Sequence, residues 1–139
     1  MKAKLTAVVA CIALLLAGCG GLTKGKGASE AAIDHFHQLY SDGKLDDIWK
    51  EAHPKFRSAS TKEKYNEFMS ALQRKLGKVK STSNEGWRVD SWNFTTTVAM
   101  SQKTVFEHGE GTESFTFQMD GDKAVLVGYN IQSMDLITK

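Results

Sequence analysis

Acid–base and metal chemistry require His, Cys, Asp or Glu side chains that converge, and this chain offers few places where they do. His35 and His37 are the closest histidine pair, but residues two apart on a helix do not face each other, so they form no chelate. His53 and His108 stand alone in loop or strand-end positions. There is no Gly-x-Ser-x-Gly nucleophile elbow, and no Gly-rich phosphate loop follows a strand. A general acid or base would show as an ionisable residue among the apolar positions of a strand, where burial shifts its pKa. Glu113 shares the inward set of its strand, but it lies next to a hairpin turn, where solvent is close. Asp90 and Glu107 each have a plain surface reading. No catalytic residue, metal ligand or cofactor site is therefore assigned.

The cysteines point elsewhere. Met1-Lys2-Ala3-Lys4 is a basic head followed by an apolar run from Leu5 to Leu16. The run is shorter than the roughly 20 residues a spanning helix needs, and the order of segments is that of a secretory signal peptide. Its end, Leu16-Ala17-Gly18-Cys19, resembles a bacterial lipobox. That resemblance implies residues 1–18 as a lipoprotein signal peptide and Cys19 as the lipid-attachment site, embedded in a membrane through several acyl chains. Cys11 would leave with the signal peptide, so no cysteine remains for a disulfide, a metal or a nucleophile. Gly20 after the cysteine resembles an outer-membrane sorting signal of Gram-negative lipoproteins. The expected location is the cell envelope, on the periplasmic face of the outer membrane in such a cell.

Removing Lys2 and Lys4 leaves 16 basic and 16 acidic residues. A neutral mature chain argues against nucleic acid as a partner, since phosphate binding wants a basic stripe. Residues 19–27, with Gly20, Gly21, Gly25 and Gly27, read as a Gly-rich tether, and residues 28–139 as one domain.

The elements that must position any site fall into two halves. A first helix is expected from Ala28-Ser29-Glu30, with Ser29 as N-cap and Ala32, Ile33, Phe36, Leu39 and Tyr40 on one face. A short second helix carries Leu45, Ile48, Trp49 and Ala52, and His53-Pro54 ends it. The third begins in a capping box at Ser60-Thr61-Lys62-Glu63, runs through Tyr65, Phe68, Met69, Leu72 and Leu76, and stops at Gly77. After Gly77 the period becomes two. Turns are expected at 84–86, 109–111 and 120–122, with a bulge near Ser101-Gln102 and Val125, Val127, Tyr129 and Ile131 on one side of the last strand. Three helices and an antiparallel meander of about four strands with one apolar face make an α+β fold, the helices covering that face.

That order resembles the nuclear transport factor 2-like (cystatin-like) superfamily, a cone-shaped α+β fold. Residues 36–44 through Trp49, with Phe106-Glu107-His108-Gly109, residues 113–117 and Gly128-Tyr129-Asn130-Ile131, resemble a domain-of-unknown-function family within it. Lys75-Leu76-Gly77-Lys78-Val79 also fits. The resemblance implies a pocket between the first helix and the sheet's open end. Of the aromatics that could line a cavity or equally be core, Tyr40, Tyr65, Trp49, Trp87 and Trp92, the candidates for its rim are Tyr40, Trp49 and Trp87. The superfamily's catalytic Tyr/Asp or Asp/His pairs have no matching positions here. Three functions stay open: binding of a small apolar ligand or an envelope protein, a cavity enzyme of the isomerase, dehydratase or hydrolase type, or a purely structural interaction module. A homodimer is compatible with each.

Overall fold

The computed structural model describes residues 23–138, so Cys19, the signal segment and the first residues of the tether lie outside them. The first helix, α1, covers residues 23–41. It begins earlier than the sequence suggests, and residues 23–27 are helix rather than tether. Ser29 is inside it, buried, with its hydroxyl donating to Gly25 O at 2.8 Å. The reason lies in packing. Gly25 is buried against the sheet, where even a Cβ would stand 3.5 Å from Val98 Cγ2.

Helix α2, Leu45–Glu51, and helix α3, Pro54–Ser58, form a corner. Pro54 ends one helix and also starts the next, with His53 as the N-cap whose ring accepts from Lys55 N; proline at the first helical position loses no hydrogen bond. Arg57 Nη1 donates to Ala52 O at 2.5 Å and Lys50 O at 3.1 Å, satisfying carbonyls left open at the end of α2. Helix α4, Lys62–Leu76, is capped by Thr61, whose Oγ1 accepts from Lys64 N at 3.2 Å. The cap is thus one residue later than Ser60. Gly77, at φ 75°, ends α4 as expected.

Strands β1 (Val79–Trp92), β2 (Thr95–Phe106), β3 (Gly109–Asp120) and β4 (Lys123–Gln132) form one antiparallel sheet in the order β1-β2-β3-β4. A short helix α5, Asp135–Thr138, follows, and Asp135 accepts from Glu110 N at 3.1 Å. The architecture is α+β, helices packed on a four-stranded sheet. Residues 84–86 are not a turn: Asn84 faces Gln102 and Gly86 faces Ser101, so the extra residue lies on β1, opposite the position expected to bulge. The turn between β2 and β3 is at residues 107–108. A further irregularity, between Thr116 and Phe117, places Gly128 and then Leu126 opposite them. Val127 is the residue passed over, which reverses the alternation before it. Leu126 and Ala124, not Val125 and Val127, join the core with Tyr129 and Ile131.

The core is Ile33, Phe36 and Tyr40 of α1, Ile48 of α2, Met69, Leu72 and Leu76 of α4, and Val98, Met100, Phe115 and Phe117 of the sheet. No helix among the described residues is long and apolar enough to cross a membrane.

Candidate functional site

One carboxyl group sits inside this core. Alternation on β3 turns Glu113, Phe115 and Phe117 to the helices, and Glu113 is only 1% exposed. The expectation that solvent would reach it beside the hairpin is overturned, because α1 lies over it. His37, buried on α1, brings Nε2 within 2.7 Å of Glu113 Oε1. Thr104 Oγ1 donates to the same oxygen at 2.5 Å, and the Tyr129 hydroxyl donates to Oε2 at 2.6 Å. Thr104 Oγ1 lies 2.9 Å from Thr82 Oγ1 on the exposed strand β1. Gln102, buried and directly across the ladder from Glu113, has an Oε1 with no hydrogen-bond partner among the described residues.

The group leaves its mark on the phenols around it. Burial first, and then the negative charge of Glu113, hold the Tyr129 hydroxyl well above its ordinary pKa. The same two causes, in the same order, raise Tyr40. Tyr65 is raised by burial and, to a smaller degree, by Asp46.

Tyr129 also belongs to a second feature. Its ring is one wall of an apolar pocket of about 250 Å³ between α2, α3, α4 and β4. Trp49, Phe56, Tyr65 and Phe68 supply the other rings, and Lys64 the one cation of the lining. Trp49 and Tyr65 lie 5.0 Å apart between ring centroids, with Phe56 edge-on to both. The Tyr65 hydroxyl donates to Leu45 O at 2.8 Å, which fixes α2 against α4. Phe68, expected in the core, is 45% exposed at this pocket. A larger groove of about 520 Å³ runs between α1, α2 and the end of β4, with Phe36, Leu39 and Phe117 in its lining and the exposed His35–Glu51 pair (2.7 Å) beside it.

The three residues expected to share a rim do not meet. Trp49 lines the aromatic pocket. Tyr40 is buried, donates to Gly77 O at 3.0 Å and borders a polar groove at the end of α1. Trp87 is half-exposed on β1, where Lys26 Nζ stands 5.8 Å from its ring centroid. Tyr40 and Trp87 lie near opposite ends of α1, Trp87 beside Lys26 at its start and Tyr40 beside Phe106 at its end, and Trp49 lies on α2 against α3 and α4.

His37 was legible in principle. It follows Ile33 by four and precedes Tyr40 by three, so it shares their face. Asp90 and Glu107 are surface groups: Asp90 accepts from Arg88 at 2.8 Å and Glu107 from Lys78 N at 2.7 Å. Among the described residues no group of three His, Cys, Asp or Glu could hold a metal ion. No family model matches the chain, and no curated protein matches it either.

Proposed function

We propose that this chain is a lipoprotein of the cell envelope, anchored through Cys19, whose domain binds a small apolar ligand in the aromatic pocket. The lipobox supports the anchor, and the order of helices and sheet is compatible with the nuclear transport factor 2-like cone. The observation that carries the binding reading is the pocket itself: Trp49, Phe56, Tyr65, Phe68 and Tyr129 around about 250 Å³, with Lys64 in its lining. Concave, ring-lined space with few polar groups is what small-molecule sites look like, and a cation beside it favours an anionic or polarisable head on the ligand.

A second reading, a cavity enzyme working by acid–base catalysis, draws on Glu113, because Tyr129 connects that carboxyl to the pocket wall. Against it, Glu113 already accepts from Thr104 and Tyr129 and is paired with His37, and neither His37 nor Glu113 lines the pocket.

Two measurements test the main reading. Cys19→Ala leaves unprocessed precursor and abolishes labelling by a palmitate analogue; normal labelling sinks the anchor. The anionic apolar probe 1-anilinonaphthalene-8-sulfonate quenches Trp49 saturably, and Phe68→Ala weakens that binding about tenfold, or about 1.4 kcal/mol, with little change in melting temperature. Unsaturable binding, or equal binding by the variant, sinks the pocket.

A further inference from the structure

The β1–β2 hairpin ends in two aromatic side chains that stand out from the described fold. Trp92 is 85% exposed and Phe94 fully exposed. Asn93 and Phe94 form the two-residue turn at φ 47° and 62°, with Trp92 paired to Thr95 below them. A two-residue turn with both φ angles positive favours Asn then Gly. Here a phenylalanine occupies glycine's place, where the backbone is strained for a bulky residue. Among the described residues no side chain covers it. Residues 91–102 carry no charged side chain, and just below the tip Arg88 and Asp90 neutralise each other at 2.8 Å. The tip is therefore aromatic, uncharged and held in an unfavourable conformation.

Where the chain enters the fold says what the tip faces. Gly25 of α1 rests on Val98, four residues from Phe94 along β2, or about 13 Å. Lys24 Nζ is 2.9 Å from Asp122 Oδ1 in the β3–β4 turn, which the meander places at the same end of the sheet as the β1–β2 turn. α1 then leads away from that end, through His37 beside Glu113 to Tyr40 beside Phe106. The N-terminus of the described chain and the aromatic tip thus share one end of the molecule. Cys19 precedes residue 23 by four residues, which reach at most about 14 Å.

We infer that the Trp92–Phe94 tip enters the interfacial layer of the bilayer that holds the Cys19 lipid, making a second, non-covalent contact with it. The inference rests on the proposed anchor for the identity of that surface. Tryptophan favours the membrane–water interface, where an amphipathic ring has both an apolar and a wet side. The absence of charge in residues 91–102 makes the contact hydrophobic, so zwitterionic lipid suffices and salt has little effect.

The test uses the full-length protein, purified from membranes and reconstituted in phosphatidylcholine vesicles with brominated or unbrominated acyl chains. Of the three tryptophans, Trp49, Trp87 and Trp92, only Trp92 is at the tip, so bromine quenching should be present in the wild type and lost in Trp92→Phe. Phe94→Gly should reduce that quenching while its melting temperature rises, separating membrane contact from folding. Palmitate-analogue labelling is read on the same preparation. A labelled chain whose Trp92 is not quenched overturns the inference and leaves the anchor standing. An unlabelled chain whose Trp92 is quenched upholds the tip and removes the anchor. Quenching that survives Trp92→Phe, or a Trp92 already shielded without vesicles by a second copy of the chain, also overturns it.

Discussion

β1 and β3 flank the same strand, yet one lies mostly in solvent and the other in the core. β3 alternates regularly, with Gly111, Glu113, Phe115 and Phe117 buried; β1 has no buried residue over its whole length. Both pair with β2 along nearly their full extent, but β3 is also paired with β4 whereas β1 is an edge strand; pairing alone buries neither face. The helices decide it. α1 crosses β2 and β3, and α3 and α4 close over β4, while β1 extends past the layer they make. Strand formation and core formation are separate events here, and the exposed strand is free to carry surface chemistry.

Breaking the covered side should cost most. Glu113→Ala leaves His37 buried without its partner and removes the acceptor of Thr104 and Tyr129. Loss of one member of a buried pair costs about 3–5 kcal/mol, seen as a large drop in the urea midpoint. A loss comparable to a surface substitution would show that α1 is not held by this group.

Alkaline titration probes the same side less locally. All three tyrosines, Tyr40, Tyr65 and Tyr129, have raised hydroxyls. A raised folded-state pKa favours the protonated form, so that stability is complete below the ordinary value of about 10. It is lost as pH rises above that value toward the folded-state ones. Phenolate absorbance should therefore appear together with unfolding. A separate phenolate step in the folded protein at the ordinary pH would show that at least one tyrosine is open to solvent.

The exposed side should respond in the opposite direction. Phe94→Gly relieves a left-handed conformation worth roughly 1–2 kcal/mol at a residue with no packing to lose. It should raise the urea midpoint slightly. A fall would mean that Phe94 packs against something in solution, and the contrast between β1 and β3 would weaken.

The sequence made the α+β class, the extent of α4 and the inward set of β3 legible, because each follows from periodicity over many residues. The breaks in register are harder to place. A bulge is a property of two strands in register, and the extra residue at 84–86 can be located only when β1 is set against β2. α3 was missed because Pro54 reads as a stop, although the same ring suits a first helical turn. The alternation of β3 marks Glu113 as inward-facing, while the adjacent hairpin residues point to solvent. What covers it is His37, which lies 76 residues away, and no local pattern reports on such a partner. Of the residues expected at a pocket rim only Trp49 lines the aromatic pocket, with Tyr65, an aromatic the sequence also allows in a cavity; the remaining walls come together from α3, α4 and β4.

The sheet's register also works as a ruler. Tyr129, in the pocket wall, faces Phe115, which faces Met100, and Met100 lies six residues along β2 from Phe94. At the rise of a strand that is about 20 Å. In the proposed arrangement, with the tip at the bilayer surface and the strands upright on it, the pocket would stand at about that height in the aqueous layer, and an apolar ligand would have to leave the lipid to reach it. Lengthening both hairpin strands by two residues would raise the pocket about 7 Å without turning any side chain to the other face. In that arrangement strand length would set the height above the membrane, independently of what the pocket binds.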